Sequence, residues 1–194
     1  RMDFRSATFV KSATSLKERP EDTKKEIIFI GRSNVGKSSL LNALCDNRSL
    51  AFTSSKPGHT RLLNYFSLKN GIYFVDAPGY GYSKAGQDHA LRFGTMMEEY
   101  FKESKTLYGV IFLLDSRREI EEEDRDLMMY IQELHFPLVI CMTKCDKLNQ
   151  KEKALMNKRI VSALGNSNYQ VLYTSIRDRA SIEKLRLVIA QLLK

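Results

Sequence analysis

The chain predicts a three-layer α/β domain, a mostly parallel sheet with helices on both faces. Three observations lead there. Apolar runs of strand length alternate with amphipathic stretches of helical length. A glycine-rich loop follows the first core run, which puts a ligand site at the carboxyl ends of the strands. At 194 residues, with no internal repeat and no dividing linker, the chain has the size of one domain with a sizeable core.

The elements follow in order. Residues 1–24, with Glu18-Arg19-Pro20-Glu21-Asp22, read as an N-terminal extension, either partly disordered or adding an edge strand near 7–11; residues 25–194 read as the main domain. The run Ile27-Ile28-Phe29-Ile30 makes 25–30 a buried strand, and Leu40-Leu41 with Leu44 makes 37–45 a helix. Strands at 62–68 and 72–76, joined by Lys69-Asn70-Gly71, form one antiparallel edge pair closed by an Asn-Gly turn. Further strands fall at 108–115, 138–143 and 169–174, and helices at 89–104, 122–135, 151–164 and 182–193. The run from Glu119 to Asp126 holds six carboxylates and one arginine, and marks a helix N-terminus favoured by the macrodipole rather than a metal site.

The glycine loop is Gly31-Arg32-Ser33-Asn34-Val35-Gly36-Lys37-Ser38, which fits GxxxxGK[ST] and runs through Ser39 into a helix. Strand, loop and helix are the context this motif requires. Its glycines let successive N–H groups point inward, and the helix N-terminus adds partial positive charge, a cradle for phosphate. Lys37 is placed to reach the β- and γ-phosphates, and the Ser38 hydroxyl to ligate Mg²⁺. A nucleoside triphosphate is the expected ligand.

Which nucleotide is read about 110 residues on, where the apolar run 138–142 ends in Thr143-Lys144-Cys145-Asp146 and fits [NT]KxD. A carboxylate at Asp146 can accept from guanine N1–H and from the 2-amino group, whereas adenine lacks the amino group and carries an acceptor at N1. Sites built on such a pair reject the wrong partner by roughly 10⁴-fold or more. The Lys144 stem is expected to lie along the base plane. Between the two motifs, Asp76-Ala77-Pro78-Gly79 fits DxxG at a strand end: Asp76 would hold Mg²⁺ through a water and the Gly79 N–H would meet the γ-phosphate. Upstream, Lys56-Pro57-Gly58-His59-Thr60 reads as a mobile loop, with Gly58 and His59 beside the nucleotide and Thr60 as the second Mg²⁺ ligand, closing over the γ-phosphate and releasing after hydrolysis. Thr174-Ser175-Ile176, after a short apolar strand, would touch the base through backbone groups. Lys37, Thr60 and Gly79 are the candidate catalytic residues. The whole set is that of a P-loop NTPase of the Ras-like G-domain type.

In this order, the blocks GRSNVGKSS, TSSKPGHT, DAPGYGYS, TKCDK and TSI resemble the EngB (YsxC/YihA) family of bacterial GTPases, of the TRAFAC class, from about Phe9 to the C-terminus. TSSKPGHT and DAPGYGYS are the specific part, since most other GTPase families lack them. The resemblance implies a cytoplasmic GTPase acting in assembly of the large ribosomal subunit and linked to cell division and septation. GTP and GDP are the expected ligands, and rRNA and ribosomal proteins the expected partners. A monomer is expected.

Charge bears on the partner. Lys and Arg number 31 against 23 Asp and Glu, a net +8; residues 144–194 hold 11 basic against 4 acidic, and residues 1–143 hold 20 against 19. The excess includes Lys147, Lys151, Lys153, Lys158, Arg159, Arg177, Arg179, Lys184 and Arg186. Such a cluster can neutralise RNA phosphates in a salt-dependent way, or simply solvate a helical surface. No aromatic stacking pair on a strand is evident, so RNA contact would rest on shape and phosphate. Cys45, Cys141 and Cys145 show no metal-ligand spacing and read as reduced thiols, with no zinc site among them and His59, His89 and His135. No apolar run approaches the ~20 residues of a membrane span, and no signal-peptide pattern is present.

One part of the machinery is missing. Ras-like GTPases place a glutamine after DxxG to orient the attacking water; here Tyr80, Gly81 and Tyr82 follow, and slow intrinsic hydrolysis is expected. Asn34 could coordinate K⁺ across the phosphates, or merely suit a tight turn. Alternatively the partner orders the loop around Thr60, where Lys56, His59 and Arg61 are either in-chain stabilisers or surface charge. Arg117-Arg118 reads as a solvated loop, and Tyr80, Tyr82 and Phe93 as aromatic packing against a helix. The alternative function is a nucleotide-gated binding module for a non-ribosomal protein partner.

Overall fold

The computed structural model describes residues 2–51, 62–81, 86–166 and 168–194. Among these residues the strands are β1 (Thr8–Ala13), β2 (Lys25–Gly31), β3 (Leu63–Leu68), β4 (Ile72–Asp76), β5 (Leu107–Asp115), β6 (Leu138–Thr143) and β7 (Gln170–Tyr173). The helices are α1 (Lys37–Leu44), α2 (Gly86–Glu103), α3 (Glu122–Glu133), α4 (Gln150–Leu164) and α5 (Arg179–Leu192). They form one sheet of order β1-β3-β4-β2-β5-β6-β7. From β4 through β7 the pairings are parallel. The expected antiparallel pair is β3–β4, and β1 extends it by pairing antiparallel with β3. The β3–β4 turn is a three-residue loop in which the Gly71 N–H donates to Leu68 O at 3.0 Å.

Alternation along the central strands explains the two helical layers. Successive strand side chains point to opposite faces, so Ile27 and Phe29 of β2 pack with Leu40, Leu41 and Leu44 of α1 and with Leu185 and Ile189 of α5. Ile28 and Ile30 face the other way, toward Met97 and Phe101 of α2, Met128 and Ile131 of α3, and Met156 and Ile160 of α4. Covered on both sides, these strands read as continuous apolar runs rather than alternating ones. From β2 the chain runs to β3 and β4 on one side and then crosses to β5 on the other. That reversal opens a crevice above the carboxyl end of β2.

Helix starts follow local capping. Asn149 accepts from the Glu152 N–H at 2.8 Å while Glu152 accepts from the Asn149 N–H, setting α4. Asp178 accepts from the Ala180 and Ser181 N–H groups, so α5 begins three residues before the expected 182. The carboxylates of the acidic run do open a helix: the Glu121 N–H donates to Asp124 at 2.9 Å at the head of α3.

A buried carboxylate anchors the far end of α2. Glu26 in β2 is 0 % exposed. It accepts from Arg19 Nε at 2.8 Å, from Thr106 Oγ1 at 2.8 Å and from the Tyr100 hydroxyl. Glu26 thereby ties Tyr100, in the C-terminal half of α2, to the sheet. β1, at the edge, carries a bulge between Phe9 and Lys11, a device that discourages strand addition.

Candidate nucleotide-binding site

The loop 31–38 lies between β2 and α1, at the crevice. Gly36 has φ 101°, a conformation that admits glycine without cost, and it turns the chain directly into α1, whose first residues are Lys37, Ser38 and Ser39. Asn34 is also left-handed, at φ 67°. At the end of β4, Asp76 meets Lys37 in an ion pair, with both side chains only about a tenth exposed. Ala77 is buried and Pro78 half-buried; Gly79 then passes so close to the loop that a Cβ there would stand 2.9 Å from Ser33 Oγ and 3.2 Å from its Cα. The Ser33 N–H donates to Tyr80 O at 2.7 Å, so the DxxG segment and the glycine loop are joined through their backbones.

The base-side motif is stitched to the same loop. Thr143 Oγ1 donates to Val35 O at 2.8 Å, and Lys144 Nζ to Asn34 O at 3.1 Å. Thr174 is buried; it accepts from the Cys145 N–H at 3.0 Å and donates through its hydroxyl to Met142 O at 2.8 Å. Ser175 Oγ donates to Asp146 Oδ1 at 3.1 Å, orienting an otherwise exposed carboxylate, while Ile176 is 56 % exposed. Thr143 and Ser175 therefore act on neighbouring loops through their side chains, and Thr174 on the end of β6, roles that motif spacing does not reveal. Gly58, His59 and Thr60 lie outside the described residues, as do Lys56, Arg61 and Tyr82.

Arg32 turns away from the Lys37–Asp76 pair. Its guanidinium stacks over the Tyr80 ring at 5.3 Å and lies 3.0 Å from Glu121, 3.6 Å from Glu123 and 3.3 Å from Asp124, at the head of α3. Tyr80 is buried, donates to Asp124 Oδ1 at 2.6 Å, and packs on Phe93 and Phe112 with centroids 5.1 and 6.3 Å away. Burial and the Asp124 carboxylate push the Tyr80 phenol far above its ordinary pKa, so it stays a donor. The aromatic packing expected for Tyr80 and Phe93 is thus present.

Asp115 and Arg117 were not among the sequence candidates. Asp115 closes β5 and is 8 % exposed. Its carboxylate takes Lys144 Nζ at 3.1 Å, the Arg117 N–H at 2.9 Å, and Arg117 Nε and Nη2 at 3.2 Å each. Burial raises its pKa, but the hydrogen bonds from Arg117 and Lys144 outweigh that and the net shift is downward. Arg117 is thus no simple solvated side chain. A charged residue at the end of a nine-residue buried strand was the available signal.

A family model described as 50S ribosome-binding GTPase matches residues 26–144. The probable GTP-binding protein EngB of Chlorobaculum tepidum is 43 % identical over 188 residues, covering 94 % of this chain and 98 % of that one. Its counterpart in Pelobacter propionicus is 40 % identical over 195 residues, covering 98 % of each. A crystal structure of a probable GTP-binding protein engB superposes with a TM-score of 0.71 at 22 % identity, covering 87 % of this chain and 98 % of that one, which supports the fold. Sheet order, glycine loop and relatives agree: the chain belongs to the EngB family of GTP-binding proteins and is a GTPase.

Proposed function

We propose that this GTPase is a nucleotide switch in assembly of the large ribosomal subunit, acting in the cytoplasm and linked to cell division as its family resemblance implies. The observation that carries the nucleotide part is the convergence at one crevice of Lys37, Asp76 and the 31–38 loop, with Asp146 on the adjoining loop tied to it through Lys144. In this reading residues 25–194 are the G domain and 1–24 an extension. Lys37 neutralises the β- and γ-phosphates, the loop N–H groups and Gly79 cradle them, and Asp146, oriented by Ser175, reads guanine. Ser38, Thr60 and Asp76 offer oxygen donors only, suited to Mg²⁺, which when bound offsets charge on the phosphate oxygens. Tyr80, committed to Asp124, does not orient the attacking water. Turnover is accordingly slow until a partner brings Thr60 to the phosphates or a cation adds charge. Two accounts of Asn34 stand: its left-handed backbone, which asparagine tolerates, and K⁺ coordination by its exposed side chain. Equal hydrolysis in Na⁺ and K⁺ would leave only the first.

The ribosomal part is supported by the basic segment 144–194. Lys147, Lys151, Lys158, Arg177, Arg179 and Lys184 are exposed. Three others are engaged internally: Arg186 donates to Leu44 O at 3.0 Å, Lys153 lies 5.6 Å over the Tyr173 ring, and Arg159 stands 3.8 Å from Glu119. No described helix is long and apolar enough to cross a membrane. Co-sedimentation with purified ribosomal subunits, in a non-hydrolysable GTP analogue and in GDP at two salt concentrations, tests the proposal. Analogue-dependent, salt-sensitive pelleting with the large subunit is expected. Absence of pelleting in either nucleotide would favour a non-ribosomal protein partner.

A further inference from the structure

Lys144 and Asp146 are two residues apart and opposite in charge, and a base-reading carboxylate is useless if a neighbouring cation consumes it. Lys144 is held in an uncommon left-handed backbone, φ 62°, with Ser116 Oγ donating to its carbonyl at 3.2 Å. Its stem passes the glycine loop, where a Cβ on Gly36 would stand 3.5 Å from Lys144 Cε. Its ammonium then divides between Asn34 O and Asp115 Oδ2, both at 3.1 Å. The carbonyl is neutral, so the counter-charge comes from Asp115. The same carboxylate binds the exposed Arg117 guanidinium through two contacts, although Arg117 also feels the charge of Asp146.

We infer that Asp115 is a positioning residue of the nucleotide site: it draws the Lys144 ammonium onto the phosphate loop and holds the Arg117 guanidinium, keeping both cations off Asp146. Ser175 is then left to orient Asp146 by a single hydrogen bond from a neutral hydroxyl. A long lysine loses rotamer freedom when it is fixed, and fixing it before the nucleotide arrives removes that cost from binding. The inference rests on the reading of residues 143–146 as the base-reading loop.

The test is calorimetric titration of GDP into wild type, Asp115→Asn, Lys144→Met and the double variant, with xanthosine diphosphate titrated into Asp146→Asn as a control on the base reading. Asp115→Asn is expected to weaken GDP about ten-fold in the wild-type background, from the loss of a charge-assisted bond, and clearly less beside Lys144→Met, where only Arg117 is left to be released. Arg117→Gln, on an exposed side chain where folding is not at stake, takes away one of the two cations that Asp115 restrains. It is therefore expected to leave GDP affinity within about two-fold of wild type and to lessen the loss caused by Asp115→Asn. Asp115→Glu, which keeps the charge but moves the carboxylate, carries the same test through its own cycle with Lys144→Met should Asp115→Asn fail to fold. Unchanged affinity, or equal losses in both backgrounds, would overturn the role of Asp115. Asp146→Asn failing to gain xanthosine diphosphate would instead overturn the base reading, so the two failures are distinguishable.

Discussion

Tyr80 and Asp124 share a hydrogen bond of 2.6 Å in the protein interior, 44 residues apart in sequence. It joins the residue after DxxG to the head of α3, while the backbone carbonyl of the same tyrosine holds the Ser33 N–H of the glycine loop. The glycine loop, the DxxG segment and the head of α3 therefore meet at one residue. Tyr80→Phe keeps the ring on Phe93 and Phe112 but withdraws a donor from a carboxylate that is 3 % exposed. A loss of about 1–3 kcal/mol is expected, as for other buried groups deprived of a partner. Urea unfolding of the apo-protein, read at fixed slope, measures it; an unchanged midpoint would mean that Arg32 and the Glu121 N–H satisfy Asp124 unaided.

Lys37→Ala removes the cation that faces Asp76. GTP affinity should drop at least about a hundred-fold, on the scale of several charge-assisted bonds lost together. Fluorescent-nucleotide titration reads this directly, and wild-type binding by the variant would contradict the phosphate role of the loop.

Glu26→Ala should be far more damaging to stability than its distance from the crevice suggests. It takes the buried counter-charge from the Arg19 guanidinium, whose side chain is 16 % exposed and which keeps the Pro20 and Asp22 carbonyls and the Asp22 carboxylate 3.7 Å away. It also strands the Tyr100 and Thr106 hydroxyls. Breaking a buried pair by removing one partner costs about 3–5 kcal/mol. Thermal unfolding of the variant should show a fall of many degrees, with α2 exchanging its amide hydrogens faster at its C-terminal half.

Stability should depend on pH through Asp115. A carboxyl whose folded pKa lies below its unfolded value of ~3.9 contributes stability above about pH 4, and the contribution disappears as pH falls through the folded value. The unfolding midpoints of wild type and Asp115→Asn should therefore differ at neutral pH and converge in acid. A difference that persists below both pKa values would assign the effect to shape rather than charge.

Thiol chemistry offers a check on the core. Burial pushes Cys45 and Cys141 up to about 12 and raises Cys145 as well. Ellman's reagent at pH 8 should find none of the three in the native protein and all of them after denaturation. Rapid reaction of even one would reveal local opening around β6 or α1.

Much of this architecture is local in origin, and so could be read from the chain alone. Short apolar runs such as 27–30 and 138–142, each ending in turn residues, read as strands covered on both faces, and GxxxxGK[ST], DxxG and [NT]KxD each carry their chemistry within a few residues. The left-handed Gly36 and the Asn149 cap are likewise short-range consequences of residue type. Tertiary structure alone decided which cations serve which anions. Arg32, inside the phosphate motif, went to the head of α3; Arg117, read as solvated, went to Asp115; and Arg186, counted with an RNA-facing surface, went to the last carbonyls of α1. The reason is physical. Long charged side chains reach several partners at comparable cost, and the choice falls to whichever buried carboxylate or unpaired carbonyl the packed sheet and helices bring within about 3 Å, a distance that composition and spacing do not encode.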